Sequence, residues 1–195
     1  MPRTFGSSGP SPSYRQVMIF VDGGYLRENI KKKWGNDVLA AGSFQTLTRL
    51  LIEHVNYGNI LGELIRTYYY DAIVDEKEKE EREKQSDFFG TLSKLPFCTV
   101  RLGRLKRAKN EPRRQKGVDI LMAIDMLTKA YENHYEIAIL VAGDGDFVDL
   151  VEAVKDAGKR VHGAYIKDHV DEKLLDSLDN HIVISDELLK KLAGK

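Results

Sequence analysis

Two five-residue runs, Val17-Met-Ile-Phe-Val21 and Ile137-Ala-Ile-Leu-Val141, contain no polar residue. A strand with one face in water alternates polar with apolar residues. A strand with none is covered on both faces, and that arrangement belongs to parallel sheets flanked by helices. Around these runs lie longer segments whose apolar residues recur at helical spacing. The alternation predicts an α/β fold: a Rossmann-like, mostly parallel sheet with helices on both faces, in three α/β/α layers.

The expected elements run in order. The strand 17–21 ends at Asp22-Gly-Gly24 and a helix covers 25–33. A second helix covers 43–57, with Leu47, Leu50, Leu51 and Val55 in phase and Ser43 as its N-cap. Residues 64–73, rich in Tyr, Ile and Thr, read as the second strand. Residues 75–84 are acids and bases with no apolar member, a solvated helix face that runs on through Phe88, Phe89 and Leu92 and ends by Pro96. The third strand is 97–102, and 104–117 is a polar, basic connection. A helix over 118–131 carries Ile120, Leu121, Ala123, Ile124 and Leu127. Strands at 137–141, 160–166 and 181–184 alternate with helices at 147–157, 172–178 and from Asp186 onward. The Gly-, Ser- and Pro-rich residues 1–15 read as a disordered tail before a single domain, 16–195.

A chain of 195 residues buries roughly 70% of its unfolded surface. It needs no covalent staple, and its lone Cys98 excludes both an internal disulfide and a four-cysteine zinc site. Cys98 lies in an apolar strand and reads as a small core residue. No apolar run approaches the roughly 20 residues of a membrane span, and the first residues lack the apolar core of a secretory signal, so a cytoplasmic protein with no membrane partner is expected. The sequence is compatible with a homo-oligomer. Lys plus Arg and Asp plus Glu each number 30, so any polyanion must meet a local basic patch.

Ligands of open parallel sheets bind at the carboxyl ends of the strands. Asp22 stands directly after the first strand, and Asp144 and Asp146, separated by Gly145, follow the fourth. In strand-like geometry Asp144 and Asp146 point the same way. Three converging carboxylates raise one another's pKa unless a cation sits among them, and a hard divalent ion, Mg²⁺ or Mn²⁺, suits all-oxygen ligands. The ordinary alternative is that these are turn residues and that Asp146 caps the following helix. Asp119 opens the helix after the basic segment, where the helix dipole favours an acid. Asp125 sits about 120° further round that helix, and it ranks second with Asp71 near the end of the second strand.

Four blocks then carry a resemblance. They are Phe20-Val-Asp-Gly-Gly24, Lys116-Gly-Val-Asp-Ile-Leu-Met-Ala-Ile-Asp-Met-Leu127, Ile139-Leu-Val-Ala-Gly-Asp-Gly-Asp-Phe147 and Ala157-Gly-Lys-Arg-Val161. In this order they resemble the NYN domain (LabA/DUF88 type) of the PIN-like nuclease superfamily, over about residues 17–184. The resemblance implies an acidic metal pocket and ribonuclease activity, with Asp22, Asp119, Asp144 and Asp146 as the catalytic, metal-holding acids. Asp125 matches a recurrent family aspartate to which no role is assigned. Many members have Asn where this chain has Tyr25, which bears on efficiency and substrate choice.

RNA is the expected partner. Arg101, Arg104, Lys106, Arg107, Lys109, Arg113, Arg114 and Lys116 fall within 16 residues, against the single acid Glu111. This segment leads into Asp119 and would hold phosphates flanking the scissile one, with Lys116 nearest to it. Tyr25, Trp34 and Tyr68–Tyr70 are candidates for base stacking, although Tyr in a strand more often packs. The five histidines show no ligand spacing. One alternative is an RNA-binding regulatory module with little turnover. A phosphatase with Asp-x-Asp after its first strand is disfavoured, because Gly24 takes the second acid's place.

Overall fold

The structure is a computed structural model that describes residues 11–35, 39–73, 79–106 and 114–194. Its seven-stranded sheet has the order β4-β3-β2-β1-β5-β6-β7. The strands are β1 (Ser13–Asp22), β2 (Ile60–Ile73), β3 (Cys98–Lys106), β4 (Arg114–Lys116), β5 (Ile137–Val141), β6 (Arg160–Ile166) and β7 (Asn180–Ile184). All neighbouring pairs are parallel except β3 and β4. The helices are α1 (Gly23–Trp34), α2 (Ala41–Glu53), α3 (Lys79–Leu92), α4 (Val118–Tyr131), α5 (Val148–Asp156), α6 (Glu172–Ser177) and α7 (Asp186–Leu192).

Period-2 alternation along β1 builds two cores. Val17, Ile19 and Val21 face one side with Leu26 and Ile30 of α1, Phe44, Leu47 and Leu51 of α2, Phe89 of α3 and Leu189 of α7. Met18 and Phe20 face the other side with Met122 and Met126 of α4, Val151 and Val154 of α5 and Leu174 of α6. These are the three layers, in the PIN-like arrangement. Among the described residues no helix is long and apolar enough to cross a membrane.

Several expectations need correction. β1 starts at Ser13, inside the segment read as tail, because its first residues pair with Ile60–Gly62 at the start of β2. The remaining expected tail, 1–10, lies outside the described residues. Ser43 is not a cap: α2 begins at Ala41, and Ala40 precedes it with no side-chain cap. The basic connection is partly strand, with β3 running to Lys106 and β4 returning antiparallel beside it. On α4 the core-facing residues are Val118, Met122, Met126 and Ala130, whereas Ile120 and Ile124 are 65% and 59% exposed.

Candidate metal centre

Val21 pairs with Val141, so the carboxyl ends of β1 and β5 are neighbours. Asp22 is the last residue of β1 and the N-cap of α1. Its Oδ1 accepts the Tyr25 N–H at 3.0 Å. The chain turns here without room for a side chain at position 23: a Cβ on Gly23 would stand 2.2 Å from the Tyr69 ring. Asp144 leads into a single 3-10 turn, Gly145–Phe147, and its Oδ1 accepts the Asp146 N–H at 3.0 Å. Residues 145–147 are therefore helical rather than strand-like, and the alternation argument for Asp144 and Asp146 does not hold. Nor is Asp146 a cap, since Phe147 precedes α5 with no side-chain cap bond. Asp119 lies in the first turn of α4.

Asp119 links these carboxylates electrostatically. Burial pushes Asp22 up to about 7, and the negative charges of Asp119 and Asp71 push it the same way against the N–H groups of Tyr25 and Gly24. Asp119, exposed as a residue, is also raised, by partial burial first and then by Asp144 and Asp146. Among the described residues, however, no three His, Cys, Asp or Glu side chains stand close enough to hold a metal ion. Like charges repel, and Asp22 and Asp144 each hold a backbone N–H. The donor set still suits a hard divalent cation: it is all oxygen, and a cation would relieve the negative charge that Asp119 places on Asp22 and that Asp144 and Asp146 place on Asp119.

The second-ranked residues have structural work. Asp71 is fully buried and accepts from Arg27 Nε at 2.7 Å and Arg27 Nη2 at 2.5 Å. The Tyr69 hydroxyl and the Ala72 N–H also donate to it. Asp125 accepts from the Tyr70 hydroxyl at 3.0 Å and from Lys129 at 3.1 Å, and it pairs with Arg101 at 3.2 Å. Tyr69 and Tyr70 are fully buried, and Tyr68 lies under the cations of Lys129 and Arg101, so these rings are packing residues.

Tyr25 spans two elements. Its hydroxyl donates to the His169 carbonyl at 2.8 Å and accepts the Ile166 N–H at 2.8 Å, tying α1 to the end of β6. A Cβ on Gly143 would lie 2.3 Å from that carbonyl and 2.4 Å from the Tyr25 ring. Asp171, absent from the expected acids, also reaches this region. Its N–H donates to Gly143 O at 2.9 Å, and its carboxylate lies 3.0 Å from where a Cβ on Gly145 would stand. Asp171 is the N-cap of α6, its side chain accepting the Lys173 N–H.

Of the expected RNA contacts, Arg107, Lys109 and Arg113 lie outside the described residues. The β3–β4 register sets Arg104 opposite Lys116 and Lys106 opposite Arg114. This ribbon runs straight into Gly117 and Asp119.

The mostly parallel sheet in three α/β/α layers agrees with a PIN-like fold. The NYN domain family matches residues 16–186, and the chain belongs to it, a family of PIN-like nucleases. The fold is similar to the crystal structure of a protein of unknown function from Vibrio parahaemolyticus, with a TM-score of 0.62 and 19% identity over 89% of this chain and 94% of that one. No curated protein matches the chain.

Proposed function

We propose that this protein is a metal-dependent ribonuclease that hydrolyses RNA phosphodiester bonds, with Asp22, Asp119, Asp144 and Asp146 holding Mg²⁺ or Mn²⁺. The observation that carries this reading is the pair of raised carboxyls, Asp22 and Asp119: burial comes first for each, the charge of Asp119 adds to Asp22, and the charges of Asp144 and Asp146 add to Asp119. Such an arrangement costs stability, and a divalent cation offsets the cost. A bound ion of this kind lowers the pKa of water toward neutrality and stabilises the charge that develops on a phosphodiester.

The chain's own residues supply the positioning. The Tyr25 N–H orients Asp22 and the Asp146 N–H orients Asp144. Asp119 stands in the first turn of α4, where burial and the charges of Asp144 and Asp146 hold its carboxyl above the ordinary value until a cation joins them. Arg104, Lys106, Arg114 and Lys116 on the ribbon supply cations for the flanking phosphates. A second reading, an RNA-binding module with little turnover, draws on Tyr25 in place of the family's Asn.

The test is cleavage of labelled single-stranded RNA with Mn²⁺, Mg²⁺ or EDTA, wild type beside Asp144→Asn. Metal-dependent cutting that the substitution abolishes is the expected result. RNA retention without cutting supports the binding module, and equal cutting by both proteins removes the site assignment.

A further inference from the structure

A second concave region lies on the same carboxyl-terminal rim of the sheet. It is a cavity of about 460 Å³ between α1, the turn after β6 and the start of α7. Lys32 reaches its wall from α1 and Lys167 from the β6 turn, both exposed. Lys33 on the same wall pairs with Asp186, while Asp168 has no cation partner among the described residues. Val183, 53% exposed, offers an apolar surface beside them.

Asn29 also lines this cavity and is only 8% exposed. Its Nδ2 donates to the Tyr25 carbonyl at 2.8 Å, which fixes the orientation of the amide. Its Oδ1 is then a buried acceptor with no partner, a condition proteins rarely leave uncompensated. The cavity adjoins the acids through His169, which lines it and whose carbonyl lies against Gly143.

The wall thus combines two cations, Lys32 and Lys167, with the carboxylate of Asp168, none of them ion-paired among the described residues, while Asn29 Oδ1 sits behind that wall, closed off from it. A bare anion would satisfy the lysines and repel Asp168. A ligand with anionic oxygens together with O–H and N–H donors satisfies both, and a ribonucleotide has that chemistry: phosphate, ribose hydroxyls and base N–H groups. We propose that the Asn29–Lys32–Lys167 cavity is a ribonucleotide subsite, receiving the nucleotide next to the phosphodiester held at the acids. This rests on the ribonuclease reading and adds where the flanking nucleotide is held.

The test titrates adenosine 5′-monophosphate into the full-length protein in EDTA by calorimetry, with inorganic phosphate in parallel. The proteins are wild type, the double variant Lys32→Ala/Lys167→Ala and Asp144→Asn. Saturable binding by wild type and Asp144→Asn is expected, weakened at least tenfold in the double variant, with inorganic phosphate binding at least tenfold more weakly than the nucleotide. In RNA cleavage the double variant raises KM with kcat little changed. The proposal fails if the nucleotide does not bind, if the double variant binds it as well as wild type does, or if inorganic phosphate binds equally well. Cleavage without nucleotide binding keeps the nuclease and removes the subsite. Nucleotide binding lost in the lysine variant, with no cleavage by wild type, keeps the cavity and removes the nuclease.

Discussion

The Arg27 guanidinium, one turn into α1, grips the fully buried Asp71 of β2 through two hydrogen bonds of 2.7 and 2.5 Å. That pair stands beside Asp22 and does two things. It fastens the helix that Asp22 caps, and it places a negative charge that helps to hold the Asp22 carboxyl high.

Arg27→Met leaves the Asp71 charge buried and uncompensated. Breaking a buried pair in this way costs about 3–5 kcal/mol, read as a lower urea midpoint with an unchanged slope. The double variant Arg27→Met/Asp71→Leu recovers part of the loss, because it removes both charges together. A loss below about 1 kcal/mol in the single variant, the range of an exposed ion pair, would show that the pair does not hold the helix.

The Asp22 carboxyl also sets a pH dependence. Its folded-state value, about 7, lies above the ordinary 3.8. The stability linked to it is full below the unfolded value and is lost as pH rises to about 7. Metal-free wild type should therefore lose melting temperature from about pH 4 to pH 7 relative to Asp22→Asn, and at pH 8 the variant should melt higher. Added Mn²⁺ should reverse that order by stabilising wild type alone. Parallel pH profiles for the two proteins would contradict the elevated carboxyl.

Asp119 and Asp125 share a helix and should separate by function. Asp119→Asn should raise the Mn²⁺ concentration for half-maximal cleavage tenfold or more while leaving urea stability within ~0.5 kcal/mol, as surface changes do. Asp125→Asn should do the reverse. It disturbs the contacts to Tyr70, Lys129 and Arg101 and should cost about 1–3 kcal/mol with cleavage of the remaining folded protein at the wild-type rate. If Asp125→Asn abolishes cleavage without loss of stability, the two roles are exchanged.

Replacing Arg104, Lys106, Arg114 and Lys116 with Ala should weaken single-stranded RNA binding and flatten its salt dependence. The log–log slope falls by about 0.7 for each phosphate contact removed. An unchanged slope would mean that the ribbon touches no phosphate.

Much of the fold was legible because burial leaves a plain trace in composition. The bounds of α4, β5 and β6 agree with their apolar patterns. β4 was not legible. It is Arg-Gln-Lys at a sheet edge, with no apolar alternation to announce it. The start of α2 was missed because Ser43 looked like a cap, while the helix begins two residues earlier without one. The acids of the candidate site stand at strand and helix ends that the pattern reveals. The parts of Asp71 and Asp125 do not show there, since their partners arrive from far along the chain: Arg27 lies 44 residues before Asp71, and Tyr70 lies 55 before Asp125. Asp171 meets Gly145 only through the folded path of the turn after β6.

The contact between Tyr25 and Gly143 restricts the order in which substitutions can accumulate. While the ring and the carbonyl it holds occupy that space, any larger residue at 143 collides with both. Changes at position 25 toward a smaller side chain must come first. A library that randomises 143 alone should return glycine, and one that randomises both positions together should find its new solutions among chains that have already lost the tyrosine.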